Sequence, residues 1–148
     1  MTERPAPRLP FFVYGTLRPG ERNHAVHLRG DDVDAQGPAL LPGAVLYEGP
    51  GYPYAVEDPE AGPVHGELVT AAPHAHDRLL AALDLLEEYA PGDPRNLYDR
   101  VTREVTRTAD GATVRAWVYV AAPRVTAYLR ASGAVIEGGD WTAFRRGR

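Results

Sequence analysis

The order of elements along this chain is set by the stretch LPFFVYGTLRPG, residues 9–20. Its first half, residues 9–14, is a short run of aromatic and aliphatic side chains, which predicts a buried strand. The glycines at 15 and 20 and the proline at 19 then predict a sharp turn. A strand that runs into a glycine turn leaves backbone N–H groups unpaired, and such groups can hold a carboxylate or a phosphate. Similar junctions also occur without a ligand, so the turn by itself leaves both interpretations open.

Downstream of this turn the sequence combines short strand patterns with one long helical pattern. Residues 74–89 are rich in Ala and Leu, begin after Pro73 and end before Pro91, which predicts a helix. An Asp-Gly pair at 110–111 predicts a hairpin between the last two strands. Strands are predicted over 44–47, 54–56, 64–69, 98–108 and 113–120, and residues 21–29 could form a short helix. These residues favour a curled sheet or small barrel packed against one main helix.

The composition is that of a single globular domain. The chain has 148 residues, of which 44% are apolar and 24% charged, and its formal net charge is −4. We predict one domain over 1–148, with a flexible leader at 1–8 and a basic tail at 142–148. The mild acidic excess argues against a nucleic-acid partner. No segment resembles a signal peptide or a membrane span, so we expect a cytoplasmic protein without membrane contact.

Two residue types are absent, and their absence removes several kinds of chemistry. Without cysteine there is no disulfide, thiolate nucleophile, cysteine-ligated zinc or iron–sulfur cluster. Without lysine there is no Schiff base and no phosphate-binding lysine. The abundance of Ala, Gly, Pro and Arg indicates that codon bias in a GC-rich genome explains the absence of lysine. His24 and His27 could share a helical face and bind a metal. Two histidines without a suitably placed carboxylate are more often surface residues, so we predict no metal.

The predicted helix places one carboxylate among its apolar side chains. At ~100° per residue from Leu79, Glu87 falls at about 80°, between the directions of two leucines. Glu88 falls at about 180° and points away from the apolar stripe, together with Asp84. Burial raises the pKa of a carboxyl such as Glu87 and makes it a capable general base and acid near neutral pH. The alternatives are a side chain that reaches water at the helix end or pairs with an arginine.

A series of short motifs extends through most of the chain. It opens with FVYGTLRPGERN at residues 12–23. The motifs that follow are GYP at 51–53, VHGEL at 64–68, LDLLEEY at 83–89, YDRV at 98–101, AWVYV at 116–120 and GDW at 139–141. Together and in this order they resemble the gamma-glutamylcyclotransferase-like (AIG2-like) family. The opening motif is the most specific of them, and the resemblance spans nearly the whole chain.

The resemblance implies a fold and a binding loop. The expected fold class is α+β: a small mixed, mostly antiparallel β-barrel with one main flanking helix and short extra helices. In that family the turn after the first strand holds the substrate's α-carboxylate. This implies substrate-binding roles for Tyr14, Gly15, Thr16 and Leu17.

The resemblance also implies a catalytic residue. The family's acid/base is the Glu of a Leu-Asp-x-x-Glu-Gly-Tyr pattern, which matches Glu87, the residue that the helical wheel selects. Tyr98 and Arg100 resemble family positions near the pocket, and Tyr119, on a strand, could point its hydroxyl into the cavity. All three are therefore candidate substrate-binding residues. Glu88 departs from the pattern, which often has Gly there, and a second carboxylate at the pocket mouth could favour a cationic substrate or be inert.

The family reaction cyclises a γ-glutamyl group and releases 5-oxoproline and a free amine. Closing the ring needs no external nucleophile, metal or cofactor, so we expect none. The expected partner is a small γ-glutamyl substrate: a γ-glutamyl amino acid or amine, isopeptide-linked lysine or a protected aminoglycoside intermediate. The short Tyr-Gly-Thr-Leu form favours the amine and biosynthetic branches. The alternative is a non-catalytic module of the same fold that binds a small carboxylate or amide, and the sequence leaves the oligomeric state open.

Overall fold

The fold is described from a computed structural model, in which residues 8–24, 28 and 30–147 are defined. The predicted leader lies outside these residues except for Arg8, His27 lies outside them, and the predicted short helix over 21–29 does so in part. Within the described residues the strands are β1 (Phe11–Val13), β2 (Val33–Leu41), β3 (Ala44–Glu48), β4 (Pro53–Glu57), β5 (Val64–Ala71), β6 (Tyr98–Arg107) and β7 (Thr113–Ala121). The helices are α1 (His76–Leu86), α2 (Pro123–Ser132) and α3 (Trp141–Arg146).

The predicted strands and the main helix are confirmed, with differences in extent. α1 ends at Leu86, before the predicted end, and Glu87 is its C-cap. β2 was not predicted as a separate strand because it contains Gly37 and Pro38, which weaken a strand pattern. The segment predicted as a basic tail is largely helical, because Asp140 caps α3 by accepting a hydrogen bond from the Ala143 N–H at 3.2 Å.

The main sheet closes into a barrel with the strand order β1-β5-β2-β6-β7. Its neighbouring strands are antiparallel except for β1 and β7, which run parallel where Phe11 pairs with Trp117. The predicted hairpin joins β6 and β7, with Gly111 at a positive φ of 71°. β3 and β4 form a separate antiparallel pair. The predicted α+β fold, a mixed and mostly antiparallel barrel with one main helix and shorter ones, is confirmed.

Alternate side chains of β1 pack into two buried clusters. Phe11 and Val13 pack in the cluster that includes Leu79 and Leu83 of α1, whereas Phe12 packs in the other cluster. This period of two follows from the pleat of a strand, which sends successive side chains to opposite faces. The packing holds α1 against β1, and the turn after β1 lines a cavity together with the end of α1.

Candidate active site

The turn that follows β1 is tightly built. The Arg18 N–H donates to the Gly15 carbonyl at 3.0 Å, and the Asn23 N–H donates to the Thr16 carbonyl at 3.0 Å. The Asn23 side-chain amide donates to the Thr16 hydroxyl at 2.8 Å. Close packing requires glycine at position 15, because a Cβ there would lie 2.8 Å from Cδ of Pro53. The turn is therefore fixed by bonds and by contact, as a preorganised binding loop must be.

Three backbone donors of this turn lack a partner among the residues that the structure describes. The N–H groups of Gly15, Thr16 and Leu17 have no acceptor within the described part of the chain. Thr16 and Leu17 are buried residues, and backbone N–H groups in such places are nearly always paired. Successive free N–H groups in a turn are a common arrangement for holding an anion. The geometry fits a carboxylate at this turn.

A cavity of about 370 Å³ opens at the turn. Its walls contain the turn residues 14–17 together with Glu87, Tyr98 and Tyr119. The structure thus brings together every predicted site residue except Arg100. A cavity of this size accommodates a small molecule.

Glu87 contributes a carboxyl group to this cavity. Its N–H donates to the Leu83 carbonyl at 2.9 Å as α1 ends, and its side chain is half-buried. Within the described residues, no ion pair involves Glu87, so the arginine pair considered from the sequence is not observed. Burial raises the pKa of Glu87 to about 7, because a charged carboxylate is disfavoured away from water. A carboxyl group with that pKa can take up and return a proton near neutral pH.

Tyrosine rings form much of the cavity wall, and their hydroxyl groups are bonded within the protein. The Tyr14 hydroxyl donates to the Tyr119 carbonyl at 2.5 Å and accepts from the Ala55 N–H at 3.3 Å. The Tyr98 hydroxyl donates to the Pro53 carbonyl at 2.7 Å. Burial is the main reason that the pKa values of Tyr14, Tyr98 and Tyr119 are all raised above the ordinary value. The phenols are therefore neutral, and their substrate contacts stay a prediction.

Comparison with known proteins supports the interpretation of the motifs. A family model described as gamma-glutamyl cyclotransferase, AIG2-like, matches residues 11–143. The chain belongs to this family. This member is 33% identical over 135 residues to a Niallia circulans protein named gamma-L-glutamyl-butirosin B gamma-glutamyl cyclotransferase, and the match covers 90% of this chain and 76% of that protein.

Two solved structures resemble the fold of this gamma-glutamyl cyclotransferase family member. An AIG2-like protein from Mus musculus has a TM-score of 0.60 and 24% identity, with 78% of this chain and 80% of that chain covered. YkqA from Bacillus subtilis has a TM-score of 0.63 and 24% identity, with 95% of this chain and 43% of that chain covered. At these identities the two structures support the fold.

Behind the cavity wall, this family member has an ion pair that the sequence analysis missed. The Asp84 carboxylate accepts from the Tyr119 hydroxyl at 2.6 Å and from Nη1 of Arg100 at 2.5 Å. The Arg100 guanidinium also lies 4.6 Å from the centroid of the Trp117 ring. The helical wheel predicts that Asp84 points to solvent. This prediction is wrong, because Arg100 of β6 and Tyr119 of β7 contact Asp84 on that side of α1. Arg100 holds Asp84 and does not line the cavity, so its predicted contact with substrate stays a prediction.

Glu88 stands where the family pattern often has glycine. It has a positive φ of 54° and is exposed, and it lines the same cavity as Glu87. The wheel direction of Glu88 does not apply, because α1 ends at Leu86 and the chain changes direction there.

Neither a metal site nor a membrane helix is found in the part of the chain that the structure describes. No three side chains of His, Asp or Glu gather in a way that could hold a metal ion within 8–24, 28 and 30–147. Nδ1 of His24 lies 2.9 Å from the Leu17 carbonyl oxygen, a hydrogen bond that occupies this nitrogen, and His27 lies outside the described residues. In the same ranges, no helix has the length and apolar character needed to cross a bilayer.

Proposed function

We propose that this protein is a γ-glutamyl cyclotransferase that converts a γ-glutamyl amide into 5-oxoproline and a free amine. The observation that carries the proposal is the half-buried carboxyl of Glu87, which lines the same cavity as the unpaired N–H groups of residues 15–17. Ring closure of a γ-glutamyl group needs an anchor for one end of the substrate and a base for the attacking amine. A cytoplasmic location is also proposed, on the sequence alone.

The turn after β1 folds the substrate back on itself. The substrate's α-carboxylate accepts hydrogen bonds from the N–H groups of Gly15, Thr16 and Leu17, which fixes the α-carbon end of the molecule. The γ-amide then lies deeper in the cavity, within reach of the α-amine. Holding the two reacting groups close together removes the entropy loss that ring closure would otherwise carry.

Glu87 moves the protons. As a carboxylate it takes one proton from the substrate's α-ammonium group, and the freed nitrogen forms a bond to the γ-carbonyl carbon. Protonated Glu87 then gives its proton to the leaving nitrogen as the original amide C–N bond breaks, and that nitrogen keeps the bonding electron pair. The extra proton on the ring nitrogen returns through the carboxylate to the released amine. Glu87 ends in its starting state, and all atoms are accounted for.

The leaving amine is the open part of this proposal. The Niallia circulans relative is named for γ-L-glutamyl-butirosin B, so we include a γ-glutamyl aminoglycoside among the candidate substrates. The other candidates are γ-glutamyl amino acids, simple γ-glutamylamines and ε-(γ-glutamyl)lysine.

The test is release of 5-oxoproline from this panel, measured by mass spectrometry. The wild-type protein is expected to convert at least one amide, and Glu87→Gln is expected to lower kcat about 10²–10⁴-fold, the range for loss of a general base. Glu104→Gln is the matched control, because Glu104 is an exposed glutamate on β6 away from the cavity. Calorimetry that detects binding by the wild-type protein without 5-oxoproline release across the panel would favour the non-catalytic module. Full turnover by Glu87→Gln would refute the mechanism.

A further inference from the structure

The segment that ends α1 is a Schellman motif with an unusual residue in it. The Glu88 N–H donates to the Leu85 carbonyl at 3.1 Å, and the Tyr89 N–H donates to the Asp84 carbonyl at 2.8 Å. In this motif the residue after the C-cap adopts the left-handed conformation and is usually glycine. Glu88 occupies that place, and among the described residues it is the only one other than glycine with a positive φ. Strain of this kind at a cavity points to a use for the side chain.

Within the described residues the Glu88 carboxylate makes no ion pair. The residue is exposed and lines the cavity. The other charged lining residues are Glu87 and Arg22, and the Arg22 guanidinium donates to the Gly51 carbonyl at 3.1 Å. Among the described lining residues there is therefore a surplus negative charge whenever Glu87 is ionised.

An aromatic ring lines the same cavity. Tyr52 is half-buried, and its ring centroid lies 5.6 Å from that of Tyr54 and 6.4 Å from that of Tyr98. These neighbours hold the ring in place. The face of a tyrosine ring attracts organic cations, and an unpaired carboxylate on the same cavity adds Coulombic attraction. An ammonium or guanidinium group is the chemistry that fits this pair.

We infer that Glu88 is a specificity-determining residue that selects γ-glutamyl amides whose leaving amine carries a second, cationic group. This inference rests on the proposed function, since it concerns the amine that the reaction releases. The γ-glutamyl part of the substrate occupies the turn and Glu87, and the cationic end of the amine reaches the exposed carboxylate of Glu88. Tyr52 contributes its ring face to the same cation.

The test compares two substrates that differ in one charge. γ-Glutamyl-putrescine ends in an ammonium group, and γ-glutamyl-n-pentylamine has a methyl group at the same place. The wild-type protein is expected to prefer the cationic amide about five-fold in kcat/KM at low salt, the effect of an exposed ion pair at the upper end of its usual strength. High salt is expected to reduce the preference by screening.

Glu88→Gln removes the charge and keeps the side-chain shape and the left-handed backbone. It is expected to raise KM for the putrescine amide about five-fold and to leave KM for the pentylamine amide and kcat for both unchanged. Glu88→Lys is expected to reverse the preference. An unchanged substrate ratio in Glu88→Gln, or an equal loss for both substrates, would overturn the inference. Thermal unfolding of each variant shows whether it is folded.

A binding measurement separates this inference from the proposed function. Calorimetry with both amides is repeated on Glu87→Gln and on the double variant with Glu88→Gln. If the wild-type protein releases no 5-oxoproline from either amide, the proposed function fails for these substrates, and the calorimetric preference still tests Glu88. Tighter binding of the putrescine amide that disappears in the double variant supports the inference. Equal binding of the two amides by Glu87→Gln contradicts it.

Discussion

The hydroxyl of Tyr119 donates a hydrogen bond to the carboxylate of Asp84 across 2.6 Å. Arg100 donates to the other oxygen of the same carboxylate at 2.5 Å. These bonds tie β6 and β7 to α1 three residues before Glu87. These side chains therefore help to position the proposed base, Glu87. One of them, Arg100, does not line the cavity.

Loss of Asp84 is expected to destabilise the protein strongly. Asp84→Ala leaves the Arg100 guanidinium, 14% exposed, without its carboxylate, and breaking such a pair from one side costs about 3–5 kcal/mol. Tyr119→Phe is the matched comparison, because it removes one hydrogen bond and leaves the ion pair, at a cost of about 1 kcal/mol. Urea denaturation measures both. Equal losses in the two variants would show that the ion pair adds nothing beyond one hydrogen bond.

The raised pKa of Glu87 has a consequence for stability. Burial raises the pKa of Glu87 to about 7 in the folded protein, above its ordinary value of 4.5, so the folded state binds the proton more tightly than the unfolded chain. The contribution of Glu87 is most favourable below about pH 4.5 and is lost as the pH rises to about 7. Glu87→Gln cannot ionise, so its stability relative to wild type is expected to increase by up to about 1.4 kcal/mol per pH unit across that range.

Urea denaturation of wild type and Glu87→Gln at several pH values from about 4 to about 8 measures this difference in unfolding free energy. Glu104→Gln is the control, since Glu104 is an exposed glutamate on β6 away from the cavity. A constant difference between wild type and Glu87→Gln across the range would mean that Glu87 titrates alike in the folded and unfolded chain.

Gly15 is expected to tolerate no side chain. A Cβ at this position would lie 2.8 Å from Cδ and 3.0 Å from Cγ of Pro53, whereas a Cβ on Gly37 would meet no atom within 4 Å. Gly15→Ala should cost about 1–3 kcal/mol through overpacking and should weaken substrate binding by displacing the turn. Gly37→Ala should change stability by less than about 1 kcal/mol. Thermal unfolding measures the stability of both variants, and calorimetry measures their substrate binding. Equal stabilities of the two variants would argue that the turn can shift freely.

Arg18 is expected to anchor the binding turn. Its guanidinium lies 2.7 Å from Asp140 and 3.6 Å from Glu67, and its side chain is 12% exposed. Arg18→Met removes the cation that both carboxylates share, so we expect a loss of about 3–5 kcal/mol and a raised KM. Arg107→Met removes an ion pair with Asp110 that is exposed on both sides and should cost at most about 1 kcal/mol. A KM for Arg18→Met equal to that of wild type would show that the ion pairs of Arg18 do not affect substrate binding by the turn.

The left-handed backbone at Glu88 predicts a stabilising substitution. Glycine relieves a strain of about 1–2 kcal/mol at such a position, partly offset by its greater freedom in the unfolded chain, so Glu88→Gly should gain about 1 kcal/mol. Glu88→Ala retains a Cβ and should gain nothing. Equal unfolding free energies for the two variants would rule out the backbone as the cause.

The parts of this fold that local patterns define could be predicted from the sequence. The alternating strands, the Ala- and Leu-rich helix and the Asp-Gly hairpin depend on neighbours along the chain. Glu87 could be placed from the helical period because Leu79 and Leu83 fix the buried direction. The helix end was placed too late, because the residues after Leu86 are still good helix formers.

The contacts that fix the site could not be predicted in this way. Arg18 and Asp140 are 122 positions apart, and Tyr119 and Asp84 are 35 apart. No spacing rule connects such residues, because their distance depends on how the barrel closes. β2 escaped notice for a local reason, since its Gly37 and Pro38 resemble a turn.

The parallel pairing of β1 with β7 has a consequence for how this protein is made. Phe11 leaves the ribosome more than a hundred residues before its neighbour Trp117. Arg18 leaves the ribosome 122 residues before its partner Asp140. The residues of the proposed binding loop are therefore synthesised early, and the contact between Arg18 and Asp140 can form only near the end of synthesis. We expect no partly synthesised chain to recognise its ligand, which links recognition to the final stage of translation.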